Sequence, residues 1–469
     1  MRPVLLIDFG STFTKVTAVD LSSEEIIGTS SAFTTADSDI GTGLEAALDQ
    51  LRRAVGELAF EYKLACSSAA GGLRMMVSGL VPELTAEAAR LAALGAGARI
   101  TRVFTHELTR RDLRAIEADP PDIFLMTGGT DGGNRSCMEG NAEKLRSVSP
   151  RFPVILAGNR QAADSCEDSL QDFKVIVCPN VMPVFGTLNI EPVQREIRAL
   201  FLNHIINARG LSRASELLSG ILMPTPSAIL SAMKLLADGT EREPGIGELM
   251  GVDVGGATTD VYSVAAGEPS DINVICKGLN EPYAKRTVEG DIGMRYSASG
   301  IVADIGEKWI AQCAGLSESR CEALMDELAA DKSKVPSCGQ DVLSQFDFAL
   351  ASGAVDIATR RHAGTLEEAY TTSGRVYVQM GKDLSRIRRI VFTGGSLIHA
   401  ADTLGIARHA LFSGRYPMSL RPMKASILRD DRYILSAMGV LAEREKEIAL
   451  RIIKRELVNL GEIGSDDSL

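Results

Sequence analysis

The stretch GVDVGGATTDV, residues 251–261, places an aspartate and a pair of glycines between two apolar runs. This order is the pattern of a β-hairpin: a strand, a tight turn on glycine and a second strand. The flanking Val252, Val254 and Val261 predict that both strands are buried. Asp253 is therefore a carboxylate at the end of a buried strand, which raises the question of whether it has a counterpart elsewhere in the chain.

A similar stretch stands near the N-terminus. LLIDFGSTFTKVTAV, residues 5–19, has the same order of strand, aspartate (Asp8), glycine turn and strand. Further along the chain, IFLMTGGTDGG (123–133) resembles RIVFTGGSLIH (389–399), because each is an apolar run that ends in Thr-Gly-Gly. Two similar pairs in the same order predict an internal duplication, in which the two Thr-Gly-Gly turns correspond to each other.

The alternation of apolar strands with helical stretches predicts an α/β fold made of two similar lobes. A chain of 469 residues exceeds what one hydrophobic core usually supports, which also favours two lobes. The polar stretch 240–248, rich in Gly and Pro, is typical of a connection between lobes. The predicted parts are a first lobe over 1–190, a helical segment and connection over 191–248, a second lobe over 249–430 with a helical insertion at about 281–385, a C-terminal helix over 431–462 and a frayed tail over 463–469.

Composition restricts the possible partners. The net charge of −11 and the pI near 5.2 disfavour a nucleic-acid partner, which needs a basic surface. No apolar run is long enough to span a membrane, and Asp8 interrupts the N-terminal run VLLI before it could form a signal-peptide core. The 8 cysteines include no CxxC pair, so neither a disulfide framework nor a zinc site is indicated. These features predict a cytoplasmic protein with no nucleic-acid and no membrane partner.

The two hairpin turns have the chemistry of a phosphate site. Successive backbone N–H groups in a glycine-rich turn form a concavity that suits phosphate oxygens. Asp8 and Asp253 would repel phosphate, but they suit Mg²⁺ lying between them and the phosphates. We therefore predict that these carboxylates hold Mg²⁺ through water and act in catalysis, and that both hairpins bind one nucleoside triphosphate in a cleft between the lobes.

The other predicted contacts lie in the same turns and in the later Gly-Gly-Ser turn. Threonine hydroxyls add donors, Lys15 adds a compact positive charge, and glycine lets the backbone approach a nucleotide's sugar or base. One Asp-x-Gly turn alone is as often a local structural turn, so it is the matched pair that favours phosphate binding. The predicted cofactor-binding residues are Gly10, Ser11, Thr12, Thr14, Lys15, Gly255, Gly256, Thr258, Thr259, Gly394, Gly395 and Ser396. The turn at 127–133 is predicted to be mainly structural.

Several other nucleotide and metal patterns are missing from the sequence. There is no Walker A motif, and GAGARI at 95–100 lacks the third glycine of a dinucleotide fingerprint. The 5 histidines have no zinc-like spacing. None of them lies in a DxHxxG segment, so the chain is predicted to bind no cobalamin through a lower-ligand motif of its own.

The hairpins and the later turn resemble the actin-like ATPase superfamily of actin, Hsp70 and sugar kinases. By motif, Asp8, Gly10–Thr12, Thr14 and Lys15 match the first phosphate segment of that superfamily. The second phosphate segment is matched by Asp253, Gly255, Gly256, Thr258 and Thr259, and the adenosine segment by Gly394–Ser396. The resemblance implies a duplicated, ribonuclease H-like fold with helical insertions, which binds ATP and Mg²⁺.

A closer resemblance covers nearly the whole chain. The segments at 65–100, TGGTDGGN at 127–134, GVDVGGATTDVYSV at 251–264 and RTVEGDIGMRYSA at 286–298 look like the GlmL/MutL family. These are accessory proteins encoded with adenosylcobalamin-dependent mutases such as glutamate mutase, and they are unrelated to the mismatch-repair protein of similar name. The resemblance implies a chaperone that uses ATP to reactivate the mutase by exchanging damaged cobalamin, with the mutase subunits as partners.

Three rival functions have different requirements. A small-molecule kinase of the same superfamily would need a general base near an acceptor hydroxyl, for which Asp131 or Asp291 could serve. A filament-forming actin relative would assemble when ATP is added. An iron–sulfur activator of this superfamily would need paired cysteines beside glycine turns, and the sequence offers none, so that alternative is set aside.

Overall fold

The computed structural model describes residues 1–10, 12–34, 40–68, 73–206, 221–269, 274–336, 341–372 and 374–465. The chain divides into two compact units. The first unit contains Met1–Ile229 with Gly278–Pro282, and the second contains Leu230–Lys277 with Tyr283–Leu469.

The first unit begins with a mixed sheet. Its order is β10-β4-β1-β2-β3, with β1–β3 antiparallel and with β4 and β10 parallel to β1 and to each other. Helix α1 packs on this sheet, and α6 precedes β10 in the chain. The elements are β1 (Pro3–Phe9), β2 (Phe13–Asp20), β3 (Glu25–Phe33), α1 (Ile40–Val55), β4 (Lys63–Ser67), α6 (Glu191–Ile206) and β10 (Ile221–Pro224). Helix α7 (Thr225–Asp238) follows β10, and its residues from Leu230 onward belong to the second unit.

A second, entirely parallel sheet is inserted between β4 and α6. Its strand order is β6-β5-β7-β8-β9. Helices cover both faces, because Met75 and Val77 of β5 enter one hydrophobic core while Met76 enters another. The elements are β5 (Arg74–Gly79), a π-helix (Pro82–Ala86), α2 (Glu87–Gly95), β6 (Arg99–Thr105), α3 (Arg110–Ala118), β7 (Ile123–Met126), α4 (Ser136–Leu145), β8 (Val154–Leu156), a 3₁₀ turn (Arg160–Ala162), α5 (Ala163–Ser169) and β9 (Val175–Val177).

The second unit repeats the mixed sheet. Its order is β14-β12-β11-β17-β18-β19, again with three antiparallel strands followed by two parallel ones, and with one added antiparallel strand at the edge. The strands are β11 (Leu249–Val254), β12 (Thr259–Val264), β14 (Ala284–Glu289), β17 (Arg389–Thr393), β18 (Lys424–Arg429) and β19 (Val458–Gly464). The predicted α/β fold with two duplicated lobes is thereby confirmed.

The insertion of the second unit is mostly helical and ends in a hairpin. Its helices are α8 (Ala298–Ile305), α9 (Glu307–Ala314), α10 (Glu318–Ala330) and α11 (Val342–His362). A small sheet of order β13-β16-β15 contains β13 (Val274–Lys277), β15 (Thr365–Thr371) and β16 (Gly374–Met380). After β17 come α12 (Gly395–Ile398) and α13 (Thr403–Arg408).

The sequence prediction matched the wrong Thr-Gly-Gly turns. Strand β7, which precedes Thr127, belongs to the inserted parallel sheet. The strand that pairs in parallel with β1 is β4, and it places Cys66 opposite Asp8 as β17 places Thr393 opposite Asp253. The counterpart of Thr393 is therefore Cys66, because equivalence is set by the pairing of strands and not by local similarity of turns.

The single C-terminal helix predicted over 431–462 is also wrong. The structure has two helices, α14 (Leu435–Leu441) and α15 (Lys446–Glu456), followed by strand β19. Strand β19 pairs antiparallel with β18, so the sheet edge satisfies its backbone. Its two glycines, valine and asparagine are also poor helix formers. Of the tail predicted to be frayed, residues 463–464 belong to this strand, and residues 466–469 lie outside the described residues.

Two further features bear on the sequence predictions. Across the described ranges, no helix combines the length and the apolar character needed to cross a membrane. Of the segment 191–248 predicted to be helical and connecting, residues 207–220 lie outside the described residues.

Candidate functional site

The two hairpin turns share one backbone geometry. In the first, the Gly10 N–H donates to the Phe13 carbonyl at 3.1 Å, and in the second, the Gly255 N–H donates to the Thr258 carbonyl at 2.9 Å. Each donor lies two residues after the strand-end aspartate, and each acceptor lies three residues after the donor. The structure therefore repeats the turn itself, and with it the position of the aspartate.

Asp8 is buried and held by two side chains. It lies at the end of β1 with 5% of its surface exposed. The Thr225 hydroxyl donates to Asp8 Oδ1 at 2.6 Å, and the Cys66 thiol donates to the same oxygen at 3.6 Å. Burial, and next the Asp8 carboxylate, raise the pKa of Cys66 well above its usual range, so the thiol keeps the proton that it donates.

The hydroxyls of the first turn have different surroundings. Thr14 is fully buried, and its hydroxyl lies 3.1 Å from that of Thr34. Thr34 in turn donates through its hydroxyl to the Gly10 carbonyl at 2.9 Å and through its N–H to the Thr12 carbonyl at 2.8 Å. Thr14 thus supports the turn through Thr34 and from the buried side of the strand. Thr12 and Lys15 are half-buried, and Ser11 lies outside the described residues.

Asp253 is half-buried and lies against the Gly394 backbone. A Cβ built on Gly394 would lie 2.6 Å from Asp253 Oδ1 and 2.5 Å from the Val254 carbonyl oxygen. A Cβ on Gly395 would lie 2.7 Å from the Tyr433 hydroxyl. Gly394 is therefore needed for the turn to pack against its own backbone, whereas a Cβ at Gly395 would meet only the end of the Tyr433 side chain. Ser396 is half-buried at the start of α12.

The two threonines of the second turn are not alike. The Thr258 hydroxyl is half-buried and lies 3.4 Å from Asp260 Oδ2. Asp260 forms a buried ion pair with Arg286 at 2.6 Å. Thr259 is fully buried, and within the described part of the chain its hydroxyl has no hydrogen-bond partner. Of the two, only Thr258 can reach a ligand without a change in the strand.

Free backbone donors remain in the second turn. The carbonyls of Gly255 and Gly256 accept bonds from the N–H groups of residues 294–296, at 3.1 Å for Met294 and 2.8 Å for Arg295 and Tyr296. The N–H groups of Gly256 and Ala257 donate no hydrogen bond to any residue that the structure describes. A half-buried turn whose carbonyls already accept hydrogen bonds, and whose N–H groups have no acceptor among the described residues, can bind an anion such as phosphate.

The two aspartates are the type of ligand that the predicted metal, Mg²⁺, prefers. Asp8 and Asp253 are hard oxygen donors at the strand ends, which suits Mg²⁺ that keeps most of its waters. Groups of three or more His, Cys, Asp or Glu side chains that could hold a metal ion were found nowhere in the described ranges. In chemical type, each carboxylate by itself fits Mg²⁺ held through water.

Sequence reasoning missed three features of these sites. Thr225, Tyr433 and the segment 294–296 are distant in sequence from the turns that they contact, so no local motif reveals them. Tyr433 has a left-handed backbone with φ of 55°, which a bulky residue rarely adopts and which often marks a functional site. Burial, followed by Asp253 and Asp430, raises the pKa of Tyr433, so its phenol stays protonated beside the turn.

The two candidate bases of the rival kinase reading lie in other surroundings. Asp131 follows β7, and its Oδ1 accepts bonds from the Arg160 N–H and the Asn180 side chain, each at 3.0 Å. Asp291 follows β14 and lies 3.3 Å from Arg361 in an exposed ion pair. Each carboxylate therefore already has charged or polar partners of its own.

Solved structures of sugar kinases are similar to this chain over nearly its whole length. The xylulose kinase of Lactobacillus acidophilus is 8% identical, with 99% of this chain and 94% of that chain covered and a TM-score of 0.37. The glycerol kinase of Plasmodium falciparum with ADP is 9% identical, with 100% and 94% covered and a TM-score of 0.36. The ethanolamine utilization protein EutJ of Carboxydothermus hydrogenoformans is 9% identical, with 96% and 90% covered and a TM-score of 0.23.

Similarity in sequence is much higher to one family. The family model described as MutL protein matches residues 4–457. Protein MutL of Clostridium tetanomorphum is 44% identical over 464 residues, which cover 98% of this chain and 100% of that protein. The match includes both hairpin turns and the strands that carry them. The chain therefore belongs to the MutL protein family.

Proposed function

We propose that the protein binds Mg²⁺-ATP through its two hairpin turns and hydrolyses it. The observation that carries this proposal is the repeated turn, in which a strand-end aspartate precedes the same Gly N–H to carbonyl bond in both units. The N–H groups of Gly256 and Ala257, which have no acceptor among the described residues, support phosphate binding in the second turn. ATP is the expected nucleotide because the motifs resemble those of the actin-like ATPases.

Each site residue then has a role in the proposal. Asp8 and Asp253 would hold Mg²⁺ through water, and the bound ion would supply positive charge to the phosphates. The glycine amides and Lys15 hold the phosphate oxygens, and Thr258 adds a hydroxyl. The Gly394–Ser396 turn faces the adenosine. Thr14 and Thr259 act as buried supports, because neither hydroxyl is exposed.

Removal of the Thr225 hydroxyl is expected to weaken metal-dependent turnover. Thr225→Val keeps the shape of the side chain but removes the hydrogen bond of 2.6 Å to Asp8 Oδ1. Loss of such an outer partner typically lowers metal affinity or activity by about 10–100-fold. We expect Thr225→Val to raise the Mg²⁺ concentration that gives half-maximal ATP hydrolysis, and Thr225→Ser, which keeps the hydroxyl, to resemble wild type. Equal Mg²⁺ dependence of Val and Ser variants would show that Thr225 does not orient Asp8.

We further propose that the energy of ATP is used on a client protein. The client is an adenosylcobalamin-dependent carbon-skeleton mutase of the glutamate mutase type, and the action is release of damaged cobalamin so that intact cofactor can enter. Membership of the MutL protein family supports this client, through the association of the GlmL/MutL family with such mutases. The helical stretches near 191–240 and 281–385 are the proposed contact surfaces, because phosphate binding does not use them.

Recovery of an inactivated mutase tests the proposal. The mutase is first inactivated by prolonged turnover, and this protein, Mg²⁺, ATP and fresh adenosylcobalamin are then added. We expect activity to return with ATP and not without it, and Asp253→Asn to fail. Asp20→Asn, which changes a carboxylate at the opposite end of the β1–β2 hairpin, should restore activity as wild type does.

Two other outcomes would decide against a chaperone. Equal recovery without ATP would show that nucleotide does not drive the step. ATP turnover that depends on a small metabolite and yields a phosphorylated product would instead support a small-molecule kinase of the same superfamily.

A further inference from the structure

The second phosphate turn is shaped by a neighbouring segment of the same unit. Residues 294–296, between β14 and α8, donate three N–H bonds to the carbonyls of Gly255 and Gly256. A Cβ on Gly293 would overlap the backbone of Ala257, so the two segments touch backbone to backbone. Carbonyl oxygens turned toward a phosphate would repel it, and these bonds turn them away. The position of residues 294–296 therefore decides whether the turn can receive an anion.

The Arg295 side chain fixes that position. Its Nη1 and Nη2 donate to the two carboxylate oxygens of Asp347 at 3.0 and 2.6 Å. Its Nε donates to the Lys334 carbonyl at 2.9 Å, and Nη1 also donates to the Met294 carbonyl at 2.8 Å. A planar guanidinium that binds both oxygens of a carboxylate is held in direction as well as in distance.

The ion pair is sheltered from water. The Arg295 and Asp347 side chains are 11% and 16% exposed, so solvent screens their attraction little. Burial raises the pKa of Asp347, and the bonds and charge of Arg295 act in the opposite direction. Asp347 lies in the second turn of α11, the longest helix of the insertion. Arg295 thus contacts the second phosphate turn through its backbone and the helical insertion through its side chain.

We propose that Arg295 is a positioning residue that sets the second phosphate turn, and that the Arg295–Asp347 pair makes the turn and α11 move together. The inference rests on the proposed function, because it assigns the turn to the phosphates of ATP. A partner that displaces α11 would then alter ATP affinity. Linkage requires ATP to alter the affinity for that partner by the same factor.

Two variants break the pair and one matched variant leaves it intact. Arg295→Gln and Asp347→Asn each remove one charge and keep the approximate shape. Asp304→Asn is the control, because Asp304 of α8 accepts bonds from Arg360 at 2.6 Å and Arg361 at 2.7 Å of the same helix α11, without contact to the turn. Loss of the Asp304 ion pairs should destabilise the insertion to about the same degree as loss of the Arg295–Asp347 pair.

Hydrogen exchange of the nucleotide-free protein gives the first measurement. We expect the amides of residues 294–296 to exchange at least about 10-fold faster in Arg295→Gln and Asp347→Asn, because their bonds to the turn open more often. Asp304→Asn should leave them unchanged. Unchanged protection in the two pair variants, or equal loss in all three, would overturn the inference whatever the nucleotide does.

Titration with Mg²⁺-ATP gives the second measurement. We expect the Kd to rise by about 10-fold or more in both pair variants, as for loss of an outer support, and not in Asp304→Asn. The double variant should bind no more weakly than either single one, since both changes remove the same interaction. If the wild-type protein binds ATP and the pair variants bind it with the same Kd, the inference about Arg295 is wrong and the proposed function still stands. A wild-type protein that binds no ATP would instead reject the proposed function.

Discussion

Asp8→Asn and Asp253→Asn are each expected to lower Mg²⁺-dependent ATP hydrolysis by about 100-fold or more. In both variants the amide keeps the shape of the carboxylate but has no negative charge with which to hold a divalent ion. At position 8 the amide oxygen can still accept the hydrogen bond from the Thr225 hydroxyl. Loss of one carboxylate near the ion should therefore affect turnover far more than folding. The measurement is steady-state phosphate release at saturating ATP over a range of Mg²⁺ concentrations.

The control is a buried carboxylate in the same hairpin. Asp20 lies at the far end of β2, opposite Pro3, and accepts the N–H of Arg2 and of Ser22. Asp20→Asn should hydrolyse ATP as wild type does. If Asp8→Asn and Asp253→Asn also retain wild-type turnover, the two carboxylates do not serve the metal and the assignment of the site is wrong.

Gly394→Ala is expected to destabilise the second unit by about 3 kcal/mol and to abolish ATP binding. Gly394 has φ of 96°, and its added Cβ would lie within 2.7 Å of Asp253 Oδ1 and of two backbone atoms of Val254. Left-handed strain contributes about 1–3 kcal/mol, and overpacking adds about as much. The turn at Gly394 would have to move away from Asp253, and this movement would change the contacts of the Asp253 carboxylate. Urea unfolding and ATP titration measure the two effects.

A second glycine separates strain from contact. Gly461 of β19 has φ of 114°, and a Cβ built there meets nothing within 4 Å. Gly461→Ala should therefore show the loss due to strain alone, about 1 kcal/mol, and should bind ATP normally. Equal losses in the two variants would mean that the close approach of Gly394 to Asp253 has no energetic weight.

Local patterns predicted the hairpins well. The alternation of apolar residues with Asp-x-Gly turns indicated β1–β2 and β11–β12, and the structure has both as antiparallel pairs. Such turns depend on residues that are close in sequence, so their chemistry can be read directly from the chain. For Gly394, glycine in a turn after a strand predicted a close approach to a nucleotide, and the structure shows a close approach to Asp253 and Val254 of the same unit.

Contacts between distant segments could not be predicted in this way. Thr225 reaches Asp8 only because β10 lies beside β4 in the sheet, and sequence spacing gives no sign of that order. For the same reason Thr127 was paired wrongly with Thr393, although Cys66 occupies the equivalent position. Residues 458–462 of β19 were predicted as helix by extension of the helical pattern that precedes them, whereas pairing with the edge of β18 decides their structure.

The most direct test of the account is a calorimetric titration of the wild-type protein with ATP. Both turns, their aspartates and every proposal about the client depend on binding of this nucleotide with its metal. With Mg²⁺ present we predict saturable binding of one ATP per chain, and with the metal removed by a chelator we predict markedly weaker binding. Absence of saturable heat at millimolar ATP and Mg²⁺, or binding that is indifferent to the metal, would contradict the central claim.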